Sequence, residues 1–173
     1  MRKFSLFLII IAFLNLNSAA SKEKIVFIDM DKVVSTSIPG SSVLDQLSTL
    51  NKNNLILLRN EEKIFKEKEK KLISQKNILS ESDFNKNVIK LKTEINDFNL
   101  KRNKMIKDFN KLKIDNTNKL LELINPILLK FTNDNAISFI LQKKNLVIGK
   151  TELDITDEII KIINTDIKKF KIK

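Results

Sequence analysis

The side chains best equipped to act on another molecule are lysines, and seven of them crowd the middle of the chain: Lys68, Lys70, Lys71, Lys76, Lys86, Lys90 and Lys92. Lysine is a flexible, well-hydrated charge that makes reversible, non-specific contacts. Aliphatic residues are interleaved with them at Ile56, Leu57, Ile64, Ile73, Ile89, Leu100, Ile106 and Ile114. Equipment for bond-breaking chemistry is missing. The 173 residues include no histidine and no cysteine, which excludes His–Cys zinc sites, triads with a histidine base, thiol nucleophiles and disulfides. The carboxylates near the expected body loops, Asp29, Asp31, Asp154, Asp157 and Glu158, have nothing in the sequence that brings a nucleophile or base beside them. Asp157 and Glu158 read as first-turn residues favoured by a helix dipole, and Asp29 and Asp31 as caps or turn groups. No Gly-rich phosphate loop occurs. No catalytic residue, metal ligand or cofactor is expected, and the chain reads as a non-enzyme.

The elements that carry those lysines are legible from the scarcity of breakers. Between Gly40 and Gly149 there is no glycine, and Pro126 is the one proline. Phe84, Val88, Leu91, Ile95, Phe98, Arg102, Met105, Phe109, Leu112 and Asn116 follow at 4-3-4-3 spacing. That is a coiled-coil seam, with Arg102 and Asn116 as register devices or solvent-reaching positions. The preceding stretch is thinner. Leu58, Phe65, Leu72 and Leu79 recur every seven residues, but Glu61, Lys68 and Gln75 fill the other seam positions. Between the two lie Ser80 and Ser82, good N-caps, with Glu81 and Asp83 suited to a first turn. The pattern fits an antiparallel hairpin with its tip near residues 77–83, or one continuous helix in an intermolecular coiled coil; the thin first arm favours the hairpin. An arm of roughly 35 residues reaches roughly 50 Å.

Both ends of the chain have a different character. Residues 1–20 read as a signal peptide: Arg2 and Lys3, an apolar run from Phe4 to Leu14, and small residues before a cut near Ala20-Ser21. The apolar run is short of the roughly 20 residues that span a bilayer. Ile25 to Ile28 has the profile of a buried strand, and Pro39-Gly40 that of a turn. Pro126 should kink or restart the helix, with Asn133-Asp134-Asn135 ending it in a left-handed cap. Ala136 to Gln142 and Leu146 to Gly149 read as two strands joined at Lys143-Lys144-Asn145. Thr156 should cap a last helix running to about Ile167. The expected architecture is mostly α: a body from residues 21–47 and 125–173 containing a small β element, and an arm from residues 48–124. So small a body, without disulfides, should need oligomerisation to share one core.

These pieces resemble the Skp/OmpH family of periplasmic chaperones. The resemblance rests on Ile25-Val26-Phe27-Ile28-Asp29-Met30, on Ile38-Pro39-Gly40, and on Leu153-Asp154-Ile155-Thr156-Asp157-Glu158-Ile159-Ile160, in that order around the heptad hairpin. Pro126 sits where many members restart the helix. The resemblance implies a homotrimer with a β body and three helical tentacles. Their cavity would hold unfolded outer-membrane proteins without ATP. Arginine occurs only at positions 2, 59 and 102, so a lipopolysaccharide-binding arginine pattern does not transfer.

Charge is segregated. Residues 52–113 hold 17 Lys/Arg against 9 Asp/Glu, a balance of +8. The rest of the mature chain has 13 against 12, or +1. Self-repelling arms gain nothing structurally, so their charge points to a partner. The expected function is that of an ATP-independent periplasmic holdase for unfolded outer-membrane proteins. Its charged client contacts would come from the seven lysines named above, and its apolar ones from off-seam Ile64, Ile73, Ile89, Leu100 and Ile106. The alternative is a structural coiled coil of the envelope, or a protein binding anionic lipid or lipopolysaccharide. Export argues against a physiological nucleic-acid partner, although basic helices bind phosphate non-specifically.

Overall fold

The computed structural model describes residues 23–173, so the expected signal peptide lies outside the described residues. Strand β1 (Lys24–Ile28) leads into a short helix α1 (Met30–Thr36) and then into the long helix α2 (Ile38–Ser74). After a turn at residues 75–80, helix α3 (Glu81–Asp134) returns, followed by strand β2 (Ile137–Gln142) and helix α4 (Thr156–Asp166). Helices α2 and α3 form the antiparallel hairpin, and the small two-stranded sheet belongs to the body. Among the described residues, no helix is long and apolar enough to cross a membrane.

The body is assembled from segments far apart in sequence. Strand β1 pairs with β2 in parallel, Ile25 opposite Phe139 and Phe27 opposite Leu141. One face of this ribbon, with Val26, Ile28 and Ile140, packs on Val33, Leu120, Ile124, Ile155, Ile159 and Ile163. Ile124, Ile159 and Ile163 are completely buried. The other face carries Ile25, Phe139 and Leu141, all exposed. Thr156 ties the layers together, its hydroxyl accepting from the Asp29 N–H at 2.9 Å. The Ile155 N–H donates to the Phe27 carbonyl at 3.0 Å.

Several local expectations change. Pro39-Gly40 is the first turn of α2, not a separate turn: Ser37 caps the helix and Pro39 needs no N–H there. Glycine is required at position 40 because a Cβ would stand 1.9 Å from the Val34 carbonyl oxygen. Helix α3 runs through Pro126 without restarting. The left-handed residue after α3 is Ala136 (φ 50°), and Asn135 instead bonds its amide to the Phe131 carbonyl at 2.9 Å. The expected strand from Leu146 to Gly149 is absent. Lys143–Asn145 is a 3₁₀ turn, and Gly149 packs against the Phe27 ring, where a Cβ would come within 2.7 Å. The partner of β2 is therefore β1, and a hairpin is replaced by a crossover pairing. Thr156 does not cap α4; the residue before the helix is Ile155, with no side-chain cap. Asp29, by contrast, does cap, accepting from the Lys32 N–H at 2.9 Å.

Candidate client-binding surface on the helical arms

The two arms meet along the expected seam, and polar residues fill the gaps in its thin half. Phe65 and Phe98 pack with ring centroids 5.3 Å apart, tilted by 51°. Glu61 bonds Lys101, and Lys68 bonds Glu94. Arg102 stands 4.0 Å from Glu62. So three of the seam positions that carry no apolar group, Glu61, Lys68 and Arg102, are joined across the hairpin by charge. Such exposed pairs contribute little stability, of the order of 0–1 kcal/mol each, but they fix which residues face each other. The hydrogen bond from Lys68 holds the Glu94 carboxyl below its ordinary range. Ser80 starts α3 by accepting from the Asp83 N–H at 3.1 Å.

The lysines expected to meet a partner divide into two groups. Lys68 is engaged, bonded to Glu94 and lying 5.5 Å from the Phe65 ring centroid. Lys86 is 3.8 Å from Asp83, its neighbour one turn earlier. Lys70, Lys71, Lys76, Lys90 and Lys92 are exposed and make no ion pair among the described residues. Lys71 and Lys90 come together with Lys68 around an open groove of about 350 Å³ near the tip, whose floor includes Leu72 and Leu91. A second groove of about 400 Å³, mostly apolar, lies nearer the body and is lined by Leu50, Met105, Phe109 and Leu112 with Lys101 and Lys104.

The off-seam aliphatics Ile64, Ile73, Ile89, Leu100 and Ile106 are all exposed. They lie on different faces of the arms and none lines either groove, so they form scattered contacts, not one pocket. Sequence reasoning missed Ile78, the most exposed aliphatic of the turn. Its signal was available, since it breaks the seven-residue spacing beside Leu79. It also missed Lys101 and Lys104, whose membership of the second groove depends on how the arms pair. Among the described residues no cluster of three His, Cys, Asp or Glu side chains is arranged to hold a metal ion.

Near the sheet, Lys143 bonds Asp154 at 2.7 Å and lies over the Phe27 ring. Burial pushes the Asp154 carboxyl up, but hydrogen bonds from Lys143 and from Thr156 outweigh it, leaving it below its ordinary value. The same bond raises Lys143. This ion pair holds the 143–154 connection onto the body.

A family model described as outer membrane protein (OmpH-like) matches residues 24–163, most of the chain. The chain belongs to the OmpH-like family. A crystal structure of a candidate outer membrane chaperone (OmpH-like) from Caulobacter crescentus matches with a TM-score of 0.78, covering 86% of this chain and 88% of that one. Sequence identity is 16%, so this likeness concerns the fold. A search of curated proteins found no match. The family match spans both strands, the whole hairpin and α4 as far as Ile163, and leaves the final ten residues outside.

Proposed function

We propose that this OmpH-like chain is an ATP-independent periplasmic holdase chaperone. It would bind unfolded outer-membrane proteins between its arms and keep them from aggregating before membrane insertion. The observation that carries this reading is the combination, on the two arms, of exposed lysines without ion-pair partners among the described residues and exposed aliphatics off the seam. Long-range attraction by the lysines raises the encounter rate with acidic unfolded chains, and scattered apolar contacts then hold them weakly and reversibly. No single arm residue is indispensable to such binding, and release needs only a competitor that binds the client better.

The working form is a homotrimer. A two-stranded ribbon is not stable by itself in water, and here Ile25, Phe139 and Leu141 line its open face. Burying that face against further copies would complete a core too small for one chain. Three arms brought together would enclose a cationic cavity.

The test is an aggregation assay with a denatured outer-membrane barrel protein, combined with light scattering. Equimolar trimer should suppress aggregation, added salt should weaken the complex, and the mass should correspond to a discrete trimer. Unaltered aggregation at equimolar trimer refutes the chaperone reading. Extended dimers or fibres would favour a structural coiled coil instead. Binding to anionic vesicles or lipopolysaccharide, driven by the same +8 balance on residues 52–113, would be an auxiliary property of the arms.

A further inference from the structure

The seven residues Ile167 to Lys173 lie outside the family match and run back over the root of the hairpin without a turn or bend. Their backbone is held by side chains from both arms. Gln46 of α2 donates its Nε2 to the Phe170 carbonyl at 3.0 Å, and its Oε1 accepts from the Ile172 N–H at 3.2 Å. Asn116 of α3 accepts from the Lys173 N–H through Oδ1 and donates to a main-chain oxygen of Lys173 through Nδ2, both at 3.3 Å. A bond at residue 170 and another at 172 is the spacing at which an extended strand presents backbone groups along one edge. Reading by backbone along an edge, with pockets for alternate side chains, is how strand-addition sites take peptides.

Side-chain placement follows the same rule from Lys169 on: Phe170 and Ile172 are half-buried and Lys169, Lys171 and Lys173 point to solvent, whereas Ile167 (buried) and Lys168 (exposed) are out of phase with it. Phe170 packs against the body core, with Lys119 Nζ 4.6 Å from its ring centroid. None of the segment's lysines forms an ion pair among the described residues. Asn116 occupies a buried seam position where an apolar side chain would pack without a polar group to satisfy. Its amide is satisfied by the Leu112 carbonyl at 2.8 Å and by the Lys173 backbone. The resident segment is thus held through its backbone, which any extended chain offers, and through Phe170 and Ile172, while its four lysines add positive charge beside arms that are already cationic.

We propose that Gln46 and Asn116 form a site for extended peptide backbone at the fork of the hairpin, that residues 167–173 occupy it in cis, and that extended segments alternating apolar with polar or acidic residues compete for it. Only the identity of the competitor rests on the chaperone reading: strands of outer-membrane barrels alternate in this way, and acidic ones would not carry the resident's repulsion.

The probe is a soluble decapeptide alternating valine or phenylalanine with serine or glutamate. In the full chain the amides of Ile172 and Lys173 should be protected from hydrogen exchange, and the probe should remove that protection saturably. A chain truncated after Ile167 should bind the probe about tenfold more tightly by fluorescence anisotropy, and Gln46→Ala in the truncated chain should reverse most of that gain. The proposal is overturned if saturating probe leaves exchange at 172 and 173 unchanged. It is equally overturned if truncation brings no gain in affinity or if Gln46→Ala has no effect on it. Should truncation prevent folding, the exchange measurement on the full chain decides alone. Failure of the full chain to suppress aggregation would sink the holdase reading and leave this titration unaffected.

Discussion

Isoleucine has opposite fates in the two regions of the molecule. In the body, Ile159 and Ile163 are completely buried, whereas on the arms Ile73 and Ile89 are 64% and 65% exposed. The charges divide in the same sense. Lys143 of the body is fixed to Asp154, while Lys70, Lys71, Lys76, Lys90 and Lys92 of the arms are exposed with no ion pair among the described residues. The body therefore holds the free energy of folding and the arms hold the surface available to a partner. Separating them lets the arms keep apolar and like-charged groups in water, at a cost in stability that the body core must offset.

The comparison is broken most severely at the junction. Gly40→Val would drive a side chain into the Val34 carbonyl and should destabilise the body by about 4 kcal/mol or more, read as a fall in the thermal midpoint. Ile159→Ala, inside the body core, should cost about 3 kcal/mol in denaturant titration. The same truncation at Ile73 or Ile89 should stay within about 0.5 kcal/mol, because those side chains have little contact to lose. Equal destabilisation at both sites would refute the division of labour. Between these extremes lies Phe98→Ala. It removes the ring against Phe65 and should cost about 2 kcal/mol locally, seen as faster hydrogen exchange toward the tip with the body amides unchanged.

Two smaller effects sharpen the contrast. Replacing Lys70, Lys71, Lys76, Lys90 and Lys92 together by glutamine should lower affinity for an acidic unfolded client about tenfold at low salt and flatten its salt dependence. The thermal midpoint should hardly move. In the body, Asp154 has its carboxyl lowered in the folded state. Its contribution is therefore complete above the ordinary aspartate value of about 3.9 and is lost as pH falls through the lowered folded value. Asp154→Asn should accordingly reduce the acid sensitivity of unfolding while leaving client binding unchanged.

The arms were the more legible region. Their 4-3 spacing, the absence of breakers, the cap at Ser80 and the acidic first turn at Glu81 and Asp83 are local signals, and local torsions obey them. The exposure of Ile64, Ile73, Ile89, Leu100 and Ile106 also followed from their position off the seam. The engagement of Lys68 with Glu94 did not, because it depends on the register between arms. The body was harder to read. Leu146 to Gly149 has the composition of a strand, yet β2 found its partner in β1, more than a hundred residues earlier. Thr156 looks like a helix cap, but its hydroxyl accepts from the Asp29 N–H at the end of β1.

By itself, then, the sequence determined a cationic helical hairpin with no histidine or cysteine, set between two ends that must fold together. Periodicity and breaker placement act through neighbouring residues, so they need no knowledge of the rest of the chain. Only the tertiary structure decided that the sheet is a parallel β1–β2 pair, that Gly40 and Gly149 are demanded by close approach, and that Gln46 and Asn116 hold the backbone of residues 170–173. An amide or a strand carries no sign of its partner in its own sequence. That choice is made by which distant segments the packed core brings within hydrogen-bond reach.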